Sequence, residues 1–124
     1  MSDSAQKVEC TIPILPVKDL ARSIRYYTET LGFNLEWSGD IVASVSRDDH
    51  PIMLSQAMAS SGPGWVWIGL EDDSLFDEYR SCGVEVYQDP RNEPWAYEMK
   101  FKDLDGNILW LGTEPRTDIP LEGG

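Results

Sequence analysis

Five tryptophans, Trp37, Trp65, Trp67, Trp95 and Trp110, share a 124-residue chain with a formal net charge of −12 and a single histidine. That set favours capture over conversion: broad flat side chains grip planar rings, and a negative field draws cations. Acid–base or metal chemistry has little to draw on. His50, the one imidazole, lies between Asp49 and Pro51 where the sequence reads as a hairpin turn. We therefore expect Trp37, Trp65 and Trp95 to contact a planar ligand, Trp67 and Trp110 to form a floor, and Glu36 or Glu93 to face its positive charge. Tryptophans in a small domain also serve as core, a role that suits Trp67 and Trp110 best.

Magnitudes support stacking over ion pairing. Rings stacked on aromatics contribute about 1–3 kcal/mol each, and micromolar binding needs about −8.2 kcal/mol, within reach of two or three walls plus burial. Exposed ion pairs, at about 0–1 kcal/mol each, speed encounter more than they hold the ligand.

Other polar residues suggest less. Asp48 and Asp49 read as turn formers, and Ser44 and Ser46 alternate on a strand with no histidine or lysine nearby in sequence to activate them. Asp103, Asp105 and Asn107 evoke a calcium loop but lack the bidentate glutamate that should follow. Cys10 and Cys82, without CxxC spacing, read as reduced thiols rather than a disulfide.

The elements that must position these residues follow from periodicity. Val8 to Val17 reads as a strand, and Pro13 and Pro16 place it at an edge. Asp19 offers an N-cap to a helix carrying Leu20, Ile24, Tyr27 and Leu31, which Gly32 ends. Strands follow at Phe33–Trp37, Ile41–Arg47 and Pro51–Gln56, then a small-residue linker from Ala57 to Gly64. The order then restarts: a strand at Trp65–Leu70, a helix capped by Asp73 or Ser74 and closed by Gly83, and strands at Glu85–Gln88, Tyr97–Lys102 and Asn107–Gly112. Asp105-Gly106 signals a tight turn between the last two. Each half reads strand, helix, three strands, so duplicated βαβββ units are expected: an α+β domain at 8–113, with halves near 8–57 and 64–113. Residues 1–7 are expected to be disordered and 114–124 to be a flexible tail.

Charge excludes whole classes of partner. Twenty-two acidic against ten basic residues should repel nucleic-acid phosphates and anionic lipid surfaces. With no apolar run of about 20 residues to span a bilayer and no signal-peptide core, a cytoplasmic location is expected.

These residues together resemble the vicinal oxygen chelate superfamily, which includes glyoxalase I, extradiol dioxygenases and bleomycin-resistance proteins. The carrying motifs are Leu15-Pro16-Val17-Lys18-Asp19-Leu20, Tyr26-Tyr27, Leu31-Gly32-Phe33 and Asp103-Leu104-Asp105-Gly106-Asn107. The resemblance implies paired βαβββ modules forming a cupped mixed sheet, usually in homodimers that complete the ligand cavity. By motif offset, the positions where metal-using members carry His, Gln or Glu are here Ile12, Met53, Trp67 and Trp110, none suited to a hard or borderline divalent cation. No metal, no cofactor and no catalytic residue are therefore expected.

Within the superfamily the chain is most similar to the bleomycin-resistance proteins. Leu31-Gly32-Phe33-Asn34-Leu35-Glu36-Trp37, Arg47-Asp48-Asp49, Trp65-Val66-Trp67 and Glu93-Pro94-Trp95 carry that likeness. It implies a metal-free protein that sequesters a cationic aromatic antibiotic such as bleomycin without modifying it, with Met53 joining the tryptophans and glutamates at the ligand. One departure stands out: Ala96 follows Trp95 where those proteins have glycine, which raises the question of a positive φ there. The alternatives are a divergent lyase or isomerase drawing on His50, Glu36, Glu93 and Glu98, and a sensor of a small metabolite.

Overall fold

The computed structural model describes residues 6–122. The first module runs β1 (Ile14–Pro16), α1 (Leu20–Glu29), β2 (Asn34–Ser38), β3 (Val42–Arg47) and β4 (His50–Ser55). A 3-10 turn at Gln56–Met58 leads into the second: β5 (Trp65–Gly69), α2 (Ser74–Ser81), β6 (Glu85–Asn92), β7 (Tyr97–Lys102) and β8 (Ile108–Thr113). Each module forms a four-stranded sheet, ordered β1-β4-β3-β2 and β5-β8-β7-β6. In each, the first strand runs parallel to the last and the other pairings are antiparallel. The βαβββ duplication expected from the sequence is present.

Local chemistry explains the boundaries. Asp19 caps α1, its carboxylate accepting from the Arg22 N–H at 3.1 Å, and Gln56 Oε1 takes the Leu20 N–H at 2.8 Å. Gly32 ends the helix with a φ of 79°, and Phe33 N–H returns to the Tyr27 carbonyl. At α2 neither expected side chain caps: Asp73 occupies the N-cap position without a side-chain bond, while Asp72 Oδ1 accepts from the Ser74 N–H.

Two strands differ from their sequence pattern. β1 spans three residues rather than Val8 to Val17, because Pro13 and Pro16 have no N–H to donate; it lies at the sheet edge, as prolines require. β6 runs past Gln88 through Pro90 to Asn92, an edge position where its irregular register with β7 is tolerated.

The terminal segments divide. Of the N-terminal stretch 1–7, residues 1–5 lie outside the described residues. The segment expected to be a flexible tail is tethered as far as Glu122: Asn92 Nδ2 donates to the Arg116 carbonyl at 2.9 Å, its Oδ1 accepts from Arg116 N–H, and Glu122 N–H reaches the Asn92 carbonyl.

Strand alternation sends one face of each sheet inward. Leu15, Val45 and Leu54 from the first sheet join Met99, Phe101, Leu109 and Leu111 from the second, with Tyr27 and Tyr79 from the helices, in one continuous core. Polar bonds also join the modules. Tyr27 donates its hydroxyl to Asp103 Oδ2 at 2.7 Å, Ser23 to Asp105 Oδ2 at 2.9 Å, and Asn107 Nδ2 to the Pro16 carbonyl at 2.9 Å. Tyr79 from α2 donates to the Leu31 carbonyl at 2.6 Å. Among the described residues no helix is long and apolar enough to cross a membrane.

Candidate functional site

The outward face of the second sheet is aromatic because of register. β5 pairs with β8 so that Trp67 lies beside Trp110, and β8 pairs with β7 so that Trp110 lies beside Lys100. Val66, Ile68, Leu109 and Leu111 face the core, and the alternate residues must face away from it. Trp110 meets Trp65 edge-to-face at 6.1 Å between centroids and Trp67 at 5.4 Å. Tyr87 extends the group, edge-on to Trp65 at 5.9 Å. Trp65 and Trp67 remain 51% and 49% exposed, so each offers a free ring surface.

A polar row supports this wall. Lys100 Nζ stands 4.8 Å from the Trp110 centroid and 5.8 Å from that of Trp65. It donates to Gln88 Oε1 at 2.8 Å and pairs with Glu98 Oε2 at 3.3 Å. The Glu98 carboxylate also accepts from Trp95 Nε1 at 2.8 Å and Gln88 Nε2 at 3.1 Å. Burial acts to raise the Glu98 carboxyl, but the N–H groups of Trp95, Gln88 and Trp110 together with Lys100 hold it below its ordinary value. The Trp110 N–H faces Glu98 without a hydrogen bond of standard geometry and has no other partner.

The expected ligand-contacting residues fall into separate places. Trp65, Trp67 and Trp110 form the wall, and Trp95 joins it through Glu98 from the Glu93–Ala96 turn, with its ring 61% exposed. Trp37 belongs to the other sheet. There it pairs across Ser44, which pairs with Met53, which pairs with Ile14, a row on the corresponding face of the first module. No aromatic contact joins Trp37 to the second-sheet tryptophans among the described residues. Glu36 is exposed and accepts from Ser46 Oγ, whereas Glu93 is buried, with Oε2 paired to Arg91 Nε at 2.7 Å and Oε1 left without a partner.

Ala96 is buried and does not adopt a positive φ, so this turn does not require glycine. Asp48 and Asp49, with φ of 51° and 68°, form the two-residue β3–β4 turn, and His50 opens β4. Cys10 and Cys82 are exposed and unpaired.

The superfamily's metal does not fit the residues present. β1 begins at Ile14, and Ile14 rather than Ile12 stands beside Met53; Ile12 precedes the strand. Either way the four positions supply an alkyl chain, a thioether and two indoles. Among the described residues no group of three or more His, Cys, Asp or Glu side chains is placed to hold an ion.

A cavity of about 320 Å³ adjoins the wall at Trp67 and is lined by residues that include Phe33, Ile52, Leu75, Tyr79, Arg47 and His50. Of the eight expected ligand residues only Trp67 borders it. Sequence reasoning passed over Lys100 and Gln88. Alternation along β7 and the Asp105-Gly106 turn carried the signal, since they fix Lys100 opposite Trp110.

The fold has many solved relatives. A bleomycin-binding protein from Streptomyces verticillus, solved with copper(II)-bleomycin, is 22% identical with a TM-score of 0.73 over 90% of this chain and 99% of that one. An antibiotic-binding protein from Streptomyces sp. CB03234 is 25% identical, with a TM-score of 0.72 over 87% of this chain and 99% of its own. Lactoylglutathione lyase from Agrobacterium tumefaciens is equally similar in shape, at a TM-score of 0.73 with 15% identity, over 86% of this chain and 94% of its own. No curated protein sequence matches the chain significantly. The model of the Glyoxalase/Bleomycin resistance protein/Dioxygenase superfamily matches residues 8–111, and the chain belongs to that superfamily.

Proposed function

We propose that this protein binds and sequesters an aromatic antibiotic such as bleomycin, without a metal and without altering the drug. The observation that carries this reading is the wall in which the exposed Trp65 and Trp67 meet the half-buried Trp110; by motif offset Trp67 and Trp110 stand where metal-using members of the superfamily carry ligands. Such a wall holds a planar ring by stacking and offers no activated nucleophile. Two of the solved relatives bind bleomycin or another antibiotic, which supports the same class of ligand here. The acidic surface draws a cationic drug toward the protein, and Glu36 on the first module is exposed to meet its charge.

The working unit in this proposal is a homodimer, in which the Trp37 face of one chain closes over the tryptophan wall of the other. Titrating intrinsic tryptophan fluorescence with metal-free bleomycin tests the reading. Saturable quenching in the micromolar range supports it, and an unchanged spectrum at high micromolar drug sinks it for that ligand. The cavity between the modules supports a second reading, a protein that holds a small metabolite near Arg47 and His50. Trp65→Ala separates the two: it weakens drug capture at the wall and leaves binding in the cavity unchanged.

A further inference from the structure

Resting on the proposed capture of an aromatic ligand by the tryptophan wall, we propose that Lys100 determines which charge class the wall accepts. It fills the wall's cation subsite from within, so ligands must present an uncharged or anionic ring there and carry any positive group elsewhere.

A cation subsite needs a π-face and a counter-ion, and both are taken. The Lys100 ammonium lies over the Trp110 ring at 4.8 Å and near the Trp65 ring at 5.8 Å. Its remaining donors are directed to Gln88 Oε1 at 2.8 Å and Glu98 Oε2 at 3.3 Å. Glu98 is equally committed: Oε1 receives Trp95 Nε1, and Oε2 receives Gln88 Nε2 as well as Lys100. The lysine side chain is only 14% exposed and the carboxylate 2%, so the pair is screened weakly by water. A second lysine repeats the arrangement beside the first, with Lys102 Nζ at 5.5 Å from the Tyr87 ring and 3.7 Å from Glu85. An arriving ring that bears a positive charge therefore meets like charge at the wall. An arriving carboxylate or phenolate edge meets the lysines.

This local preference opposes the net charge of −12, which acts at long range. The two combine to orient a ligand: its cationic part stays toward the acidic surface and its uncharged rings lie on the wall.

Three planar tricycles test the proposal: 9-anthracenemethanol, 9-anthracenecarboxylate and the cationic 9-aminoacridine. Each is titrated calorimetrically into native protein, Trp65→Ala and Lys100→Gln at physiological salt, where long-range fields are screened. The native protein is expected to bind the carboxylate more tightly than the aminoacridine. In Lys100→Gln the order reverses, with aminoacridine gaining about tenfold, as a desolvated cation–π contact allows. The neutral alcohol changes little in that variant and is weakened by Trp65→Ala. Alcohol binding that ignores Trp65, or is absent, overturns the wall and the Lys100 proposal with it. Trp65-dependent alcohol binding with the same charge preference in native protein and Lys100→Gln overturns the Lys100 proposal alone. Tighter native binding of aminoacridine than of carboxylate does so without any Lys100 variant, and so holds even if Lys100→Gln does not fold.

Discussion

The indole of Trp67 lies across the backbone of Gly112 on the neighbouring strand. A β-carbon built on Gly112 would collide with Trp67 Cη2 and stand 2.8 Å from Cζ3, so the ring or the strand would have to shift. Gly112 has no positive φ, so glycine is needed there for space rather than for backbone conformation.

Gly112→Ala should therefore displace Trp67 rather than unfold the protein. The ring is 49% exposed and has room to swing outward, so the expected loss of stability is about 1 kcal/mol, the low end for overpacking. Near-UV circular dichroism should change, because the edge-to-face geometry with Trp110 is lost. Affinity for a planar ligand should change with it. A near-UV spectrum identical to that of the native protein would show that Trp67 does not occupy this trough in solution.

Periodicity made the element order legible, because each module repeats one strand–helix–three-strand pattern with glycines at Gly32 and Gly83 closing both helices. The tryptophan wall was legible for the same reason: alternation on β5 separates Trp65 and Trp67 from Val66 and Ile68. What stayed hidden depends on neighbours far apart in sequence. Glu93 reads as a free carboxylate, yet its turn buries it against Arg91. Trp37 reads as a partner of Trp65, yet the two lie on different sheets. The motif residues behind the family resemblance proved to be joints, since Tyr27, Asp103, Asp105 and Asn107 bind one module to the other.

That joint gives the second prediction. Tyr27 is fully buried, and its hydroxyl is one of several donors to the Asp103 carboxylate, with Asn107 Nδ2 and the N–H groups of Asp105 and Asn107. Removing it in Tyr27→Phe leaves a buried carboxylate short of a donor, which should cost about 1.5–3 kcal/mol. Urea denaturation should show a lower midpoint at unchanged slope. A change under about 0.5 kcal/mol would mean that water replaces the hydroxyl at the joint.

Acid should weaken the fold partly through Glu98. Burial raises its carboxyl, but the hydrogen bonds from Trp95 and Gln88 and the nearby Lys100 prevail, so its folded pKa lies below the ordinary 4.5. A depressed carboxyl stabilises the native state above the unfolded pKa, and that contribution is lost as pH falls through the folded one. Melting temperature should thus fall more steeply below about pH 4.5 in the native protein than in Glu98→Gln, where the group no longer titrates. Parallel curves for the two proteins over pH 3–5 would place the acid sensitivity elsewhere, on the order of one carboxylate being below detection.

In the proposed homodimer, the separation of Trp37 from the wall would link ligand binding to self-association in a single equilibrium. Trp37 is 50% exposed on the first sheet, in a row with Ser44, Met53 and Ile14, while Trp65 is 51% exposed on the second. If one ligand touches both, two chains must supply them, and a ligand that binds the dimer better than the monomer must tighten the dimer by the same factor. Sedimentation velocity should show the dimer persisting to lower protein concentration when bleomycin is present. Trp37→Ala should then weaken both drug binding and drug-induced association, by roughly 1–3 kcal/mol if the ring stacks on the ligand. Association that is indifferent to drug, together with unchanged affinity in Trp37→Ala, would confine the site to the second module. In that case Trp37 would be an exposed aromatic of the first sheet with no part in capture.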